Sequence, residues 1–414
     1  VWAKVVVADA LAKRMGGRAV LLSVDTDAPK HLHLRYPGES RPITDHEMTA
    51  AWSGLVRTPS PMYVERLRRD LAEDSTAWGY APPAIAFLAS MRTLAMESGP
   101  LPNALTNAMH EIDWGLGLRH DALLTSPLWD SEGWLTLVAH VLCRAGDFAA
   151  AYNSALAEYR RAHGLRTVGR PWPDLARADA ACELPLWLDD LGMGRRERAF
   201  AILRDGRWGV ERDGSRLEIE PSEDGRESAR RLGPFLRAAR LRLTPRALML
   251  TVFVRLCLAD HFIHGIGGAR YDQATDLLIG SWMGLVPPVY SVATATLYFP
   301  ANSGPRVNLA ALRQEGRRLR HGGFSPRKRE LLAEIDAAPR LSAQRRERFF
   351  AMHREIEAGL AGGALADWQR RWEEAVSLHR SQEGQFDREL FYAIQPTHRL
   401  EGLMAAFAGM VGKG

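Results

Sequence analysis

The first residues of the chain pass from a helix through a glycine turn into a buried strand, the pattern that most restricts the fold. Apolar residues recur at helical spacing from Val5 to Met15, and Gly16-Gly17 follows as a helix stop. The next run, Arg18 to Val24, is short and continuously apolar, as is typical of a strand buried on both faces. A helix joined to such a strand is half of an α/β unit. We therefore predict an α/β protein with a Rossmann-like parallel-sheet core.

The charge balance argues against a nucleic-acid partner. The 54 basic residues are interleaved with 49 acidic ones, so the net charge of +5 creates no strong field of one sign. A membrane partner is not expected either. The longest apolar stretch, residues 247 to 263, contains Arg255 and Asp260 and is shorter than the roughly 20 residues that a spanning helix needs.

The three cysteines indicate a reducing compartment. Cys143, Cys182 and Cys257 are odd in number, lie far apart and match no zinc-binding spacing. We predict a cytoplasmic protein.

The 414 residues are more than one ordinary domain needs, and the pattern divides them. We predict a Rossmann-like core over 1–305, with helices from Met62 to about His163, a small antiparallel β insertion near 184–220, and a buried helix from Leu248 that ends in a strand at Phe262-Ile263. A second helix from Tyr271 and a strand from Val289 follow. Residues 385–414 become apolar again and are expected to pack back on the core.

The helical spacing and the many arginines of residues 306–384 predict a long helical hairpin that resembles a coiled-coil arm. The expected helices are Leu309 to His321, Pro326 to Ala337, Ala343 to Leu360 and Leu365 to Glu383. Such an arm favours a homodimer, while the alternative is a solvated arm without catalytic groups.

The glycine segment, His264 to Gly268, is the strongest candidate for ligand binding. Gly265, Gly267 and Gly268 let backbone N–H groups approach an anion, and the amino end of a following helix adds positive charge. The segment matches neither the dinucleotide fingerprint nor a P-loop. A tight turn that packs a helix against a sheet is the alternative. Polar residues crowd around the glycines: His264, Arg270, Tyr271 and Asp272.

A second candidate is the acid turn, Asp25 to Asp27, at the expected carboxyl end of the first strand. Ligands collect there in open α/β sheets. Two acids one residue apart hold a divalent metal and nucleotide phosphates, or orient an amine, and Lys30 adds a partner for an anion. A solvated turn is the alternative. The pairs His261/His264 and His31/His33 each lack a third ligand nearby, so we assign them no metal site.

These elements resemble the cysteine-adding enzyme family of bacillithiol biosynthesis. The shared features are the strand that ends at Val24-Asp25-Thr26-Asp27, the run Phe253 to Asp260, and the sequence Ile266-Gly267-Gly268 with Tyr271. The resemblance implies a Rossmann-like core with a helical coiled-coil arm. The family's Gln-Gln motif would precede Val1, and its Gly-Gly-Pro-Gly-Glu motif is replaced here by Gly268-Ala269-Arg270, so the resemblance is that of a divergent relative.

The expected function is that of a ligase or transferase that joins an amine or thiol nucleophile to a small anionic or sugar-bearing substrate. His264, Asp25 and Asp27 are the candidate catalytic residues. The candidate substrate-binding residues are Gly265, Gly267, Gly268, Arg270, Tyr271, Asp272, Lys30 and Arg255. A nucleotide or a divalent metal is the cofactor that these motifs would accommodate. The alternatives are a scaffold protein that retains the fold without catalysis, and a metal-dependent glycosyl or nucleotidyl transferase that uses the acid turn.

Overall fold

The chain begins with the helix and the strand that its amino-terminal pattern predicts, but the strand over Val20–Ser23 is not buried as expected, since Val20 is 45% exposed. The computed structural model describes residues 2–30, 32–37, 39–97, 99–167, 169, 172–212, 215–218, 225–300, 308–320, 326–360, 363–387 and 389–413. It contains two compact units. Unit 1 comprises Val1–His33, Pro42–Thr296 and Tyr392–Gly414, and unit 2 comprises Leu34–Arg41 and Leu297–Phe391.

Most of the described α-helices lie in unit 1. They are α1 (Trp2–Met15), α2 (Pro61–Ser75), α3 (Ala84–Ala95), α4 (Leu101–Gly115), α5 (Glu132–Leu142), α6 (Ala145–Ala162), α7 (Gly225–Ala238), α8 (Met249–Phe253), α9 (Ile266–Leu278) and α14 (Thr397–Lys413). Ser60 caps α2 and Ser131 caps α5, each accepting a hydrogen bond from a backbone N–H three residues on.

Two parallel pairs of strands lie in unit 1. Strand β1 (Val20–Ser23) pairs with β4 (Asp121–Leu124), and β11 (Phe262–His264) pairs with β12 (Tyr290–Val292). The structure therefore confirms a mixed α/β fold with parallel pairing. The strand predicted from Val289 covers only the three residues of β12. Strand β4 was not predicted, because Asp121 to Leu124 is too brief to show a period.

An antiparallel sheet forms the second β element of unit 1. Its strands are β5 (Arg177–Ala178), β6 (Ala181–Asp190), β7 (Arg195–Arg204), β8 (Arg207–Arg212), β9 (Ser215–Glu218) and β10 (Leu241–Pro245). The order is β10-β6-β7-β8-β9, with β5 paired to β6. The predicted antiparallel element near 184–220 is thus confirmed, but it is larger because β10 joins it from beyond α7.

The core of unit 1 lies where this sheet meets α5 and α6. Trp129, Trp134 and Phe253 contact one another in tilted and edge-on ring pairs with centroids 4.8 to 6.1 Å apart. Each ring is almost wholly buried, and the Trp134 indole N–H donates to the Leu243 carbonyl at 2.8 Å, so its polar atom is satisfied. This packing fixes the frame on which α8 and α9 are held.

A buried carboxylate joins distant parts of unit 1. Asp113 accepts hydrogen bonds from the Trp2 indole (2.8 Å), the Tyr392 hydroxyl (2.8 Å) and His120 (3.0 Å). The rings of Trp2 and Tyr392 are stacked with centroids 5.0 Å apart. The residues from Tyr392 onward therefore pack on α1 and α4, as the apolar character of residues 385–414 suggests.

Unit 2 contains the predicted helical segment. Its helices are α10 (Leu309–Arg320), α11 (Pro326–Ala337), α12 (Ala343–Leu360) and α13 (Ala364–Phe386). Strands β2 (His33–Tyr36) and β3 (Glu39–Pro42) pair with each other, and each has one terminal residue in unit 1. Helix α10 packs against α13, and α11 packs against α12. The four predicted helices are confirmed within a few residues, whereas the predicted boundary at 305/306 lies outside the described residues. No described helix of either unit is long and apolar enough to cross a bilayer.

Candidate functional site

His264 stands at the junction of a strand and a helix. It is the last residue of β11, and α9 begins two residues later at Ile266. The His264 side chain is buried, and its Nε2 lies 2.9 Å from Asp272 Oδ2. Its ring also contacts the ring of Tyr290 edge-on, with centroids 4.9 Å apart. The imidazole is therefore held both by a carboxylate and by an aromatic wall.

Asp272 is the acid that orients this histidine. Burial alone would raise the pKa of Asp272, but hydrogen bonds from His264 and Thr275 and the charge of Arg255 outweigh it and hold the pKa below its usual value. Asp272 is therefore ionised at neutral pH and accepts a proton-bearing nitrogen. The tautomer that donates from Nε2 of His264 to this carboxylate has its lone pair on Nδ1.

Arg255 holds the other side of Asp272. It belongs to a π-helical turn, Val254–Leu258, that continues α8, and its guanidinium donates to Asp272 at 2.5 Å and to Asp276 at 2.7 Å. It also donates to the Pro288 carbonyl. The residue is 3% exposed. The prediction that Arg255 binds substrate is therefore corrected: its guanidinium is paired with two internal carboxylates, and these bonds link the turn after α8 to α9.

The glycine segment is helical rather than a loop. Gly265 precedes the helix as its N-cap, whereas Gly267 and Gly268 lie in the first turn of α9. A Cβ added at Gly268 would lie 2.8 Å from Nδ1 of His264, whereas one added at Gly265 or Gly267 would meet nothing within 4 Å. Gly268 is thus required by a close approach of the helix to the imidazole, and Nδ1 faces this exposed glycine.

The amino end of α9 presents the groups expected of an anion site. The first N–H groups of a helix have no partner within it and carry partial positive charge. Gly267, Arg270 and Tyr271 share a helix face by their spacing, and all three are exposed. Tyr271 contacts Trp172 edge-on, with ring centroids 5.5 Å apart. Arg270 and the Tyr271–Trp172 ring pair therefore lie near the amino end of α9.

Asp25 in the acid turn is a buried structural carboxylate. Its Oδ1 accepts hydrogen bonds from the Thr125 hydroxyl (3.0 Å) and the Ser126 backbone N–H (2.8 Å), both just past the end of β4. Its carbonyl accepts from Gly54 N–H at 2.8 Å. These bonds join the carboxyl ends of β1 and β4.

Asp27, the second acid, is exposed and locally paired. One carboxylate oxygen accepts from the Ala28 N–H at 2.9 Å, and the other lies 3.1 Å from Nζ of Lys30. No hydrogen bond or ion pair in the described chain joins Asp25 or Asp27 to His264. The predicted catalytic residues are therefore not joined by direct bonds: Asp25 and Asp27 have partners near the acid turn, and His264 is bonded to Asp272.

Among the described residues, no group of three or more histidine, cysteine, aspartate or glutamate side chains is arranged to hold a metal ion. His33 begins β2, and His31 of the same predicted pair lies outside the described residues.

Sequence reasoning missed the arginine that secures the acid turn. Arg196 on β7 donates to the Thr26 carbonyl at 2.6 Å and to both oxygens of the fully buried Asp189. Its guanidinium lies 5.5 Å from the ring centroids of Trp52 and Trp187. Arg196 stands among the charged residues Arg195, Glu197 and Arg198, so the sequence neither distinguishes it nor identifies its partner 170 residues away in the chain.

No family model matches the chain, and a search of curated proteins gives no match.

Proposed function

We propose that the chain is an enzyme of the ligase or transferase type that joins an amine or thiol nucleophile to a small anionic substrate at the amino end of α9. The observation that carries the proposal is the placement of His264, whose Nε2 is held by Asp272 and whose Nδ1 faces Gly268. A carboxylate that fixes one imidazole nitrogen leaves the other as a general base.

In this proposal His264 removes the proton of the nucleophile. Asp272 stabilises the imidazolium that forms, because the carboxylate is already ionised and hydrogen-bonded to Nε2. The N–H groups at the first turn of α9 and the charge of Arg270 hold the anionic group of the other substrate. Tyr271 and Trp172 form an apolar edge for a ring such as a sugar.

The proposal includes the fold and the family suggested by the sequence. The unit β11–α9–β12, a parallel pair joined by a helix, is the repeating unit of a Rossmann-like core, which we propose for unit 1. We accordingly propose a divergent relative of the cysteine-adding enzyme family of bacillithiol biosynthesis, located in the cytoplasm. The free cysteines Cys143, Cys182 and Cys257 suit a reducing compartment.

We also propose that α10 to α13 form a coiled-coil-like arm through which two copies associate. Phe349 and Phe350 on α12 and Leu332 on α11 are exposed large apolar side chains of that segment. Sedimentation analysis of a Phe349→Glu/Phe350→Glu variant should give a monomer where the unmodified protein gives a dimer. A dimer that persists in this variant would contradict the assignment.

The metal-dependent transferase alternative has less support. Asp25 Oδ1 is occupied by Thr125 and Ser126, and Asp27 is paired with Lys30. A metal at the acid turn would have to displace these partners. The scaffold alternative requires no ligand at α9, so binding measurements distinguish it from the enzyme proposal.

A thermal-shift experiment tests the proposal. Nucleotides, nucleotide-sugars and amino acids are added with and without Mg²⁺ or Mn²⁺. An anionic ligand should raise the melting temperature without metal, because a ligand at 100 times its Kd stabilises the folded state by about 2.7 kcal/mol.

Arg270→Gln and Lys30→Gln are the matched variants, since each removes one exposed cation from one candidate site. The ligand shift should fall in Arg270→Gln and persist in Lys30→Gln. A shift that appears only with metal and is lost in Lys30→Gln would favour the acid turn. No shift with any ligand would favour the scaffold.

A further inference from the structure

A second histidine of the β11–β12 pair contacts a serine hydroxyl. Nε2 of His261, the residue before β11, lies 2.8 Å from Oγ of Ser291 in β12. Both residues are half-buried, so the pair is partly open to solvent. A serine within hydrogen-bond reach of an imidazole nitrogen is the basic geometry of an activated nucleophile.

The strand register separates this pair from the His264 site. Ile263 is aligned with Ser291, and Phe262 with Tyr290. Because side chains alternate along a strand, His261 and Ser291 share one face while His264 and Tyr290 share the other. The Tyr290 hydroxyl donates to the Ala269 carbonyl of α9, so the His264 face is the one that α9 covers. The two histidines therefore lie on opposite faces of the strand pair, so a function of the His261–Ser291 pair is independent of the proposed function.

We propose that Ser291 is a nucleophile activated by His261 and that this face hydrolyses esters of apolar carboxylic acids. The residues that lead up to Ser291 in the chain indicate the acyl group. Val289, two residues before Ser291, is 75% exposed, and Leu285 and Val286 in the preceding segment are also exposed. Exposed aliphatic side chains in the segment that carries a nucleophile favour a substrate whose acyl chain removes them from water.

The reaction balances with water as the only co-reactant. Oγ of Ser291 attacks the ester carbonyl carbon while its proton moves to Nε2 of His261. The bond from that carbon to the alcohol oxygen then breaks, and the alcohol leaves with the proton from His261. Water, deprotonated by the same imidazole, attacks the acyl-serine, which releases the carboxylic acid and restores both side chains.

An alkyl fluorophosphonate probe on the full chain tests the proposal, with the adduct located by peptide mass spectrometry. The probe should label Ser291, and the exposed Ser281 should remain unlabelled. Absence of an adduct on Ser291 in the unmodified, folded protein would overturn the proposal, whatever the variants do.

Two variants separate catalysis from a bond that only joins the strands. His261→Gln keeps a side chain able to bond Ser291 but cannot take up a proton, so it should lower the labelling rate about 100-fold. Ser291→Ala should abolish hydrolysis of p-nitrophenyl butyrate, and Ser281→Ala should leave it unchanged. Labelling as fast in His261→Gln as in the unmodified protein would show a structural bond and refute the assignment.

Discussion

Replacement of Gly268 by alanine is the sharpest test of the close approach between α9 and His264. The added Cβ would lie 2.8 Å from Nδ1, so the imidazole or the helix must shift. Neither Gly267 nor Gly268 has a positive φ, so the backbone conformation suits alanine at both positions. Gly267→Ala is the matched control, because its Cβ would meet nothing within 4 Å.

The size of the effect follows from the contact that must be lost. A hydrogen bond to a charged group such as His264 to Asp272 contributes about 1.5–3 kcal/mol, whereas alanine in a helix is favoured over glycine by about 0.5–1 kcal/mol. Gly268→Ala should therefore lose about 1–2 kcal/mol of unfolding free energy. Gly267→Ala should gain a few tenths to about 1 kcal/mol.

Urea unfolding followed by tryptophan fluorescence measures both variants against the unmodified protein. The difference between the two should be about 2 kcal/mol. If Gly268→Ala were as stable as Gly267→Ala, the close approach of Gly268 to Nδ1 of His264 would be refuted. Binding of the anionic ligand adds a second readout, which should weaken in Gly268→Ala alone.

Three further predictions concern buried carboxylates and their partners. Asp113→Asn should cost about 3 kcal/mol in urea unfolding, because it removes the charge that His120 is bonded to; a loss under 1 kcal/mol would contradict this. Burial lowers the pKa of His120, but the Asp113 hydrogen bond outweighs it and the pKa is raised, so this stabilisation is complete below about pH 6.5 and lost as pH rises through the folded pKa. His120→Gln should remove the part of the pH dependence of the unfolding free energy that lies above about pH 6.5; an unchanged pH dependence would exclude His120 as its source. Asp25→Ala should lose about 2 kcal/mol by leaving the Thr125 and Ser126 donors unpaired, whereas Asp25→Asn, which can still accept both bonds, should lose less than 1; equal losses would contradict the structural role.

Local signals predicted much of the secondary structure because local rules govern it. The helix over Pro326–Ala337 follows from a proline start and apolar spacing, and both of its bounds are confirmed. The run from Leu248 to Phe262-Ile263 was expected to change from helix to strand, and it does. The candidate site was predicted less well. The segment Gly267-Gly268 was expected to be a loop, because two adjacent glycines weaken the helical signal.

The sequence alone determined that the chain is a mixed α/β protein with a helical segment after residue 306, and that His264, Gly268 and Asp272 lie together near a strand end. Only the tertiary structure decided the role of each charge. The sequence shows no partner for Arg255 or for Asp25, so both were expected to be available to a ligand. In the structure both are buried and bonded to partners elsewhere in the chain. The reason is physical: a charge removed from water must be paired, and its partner is supplied by packing rather than by sequence proximity.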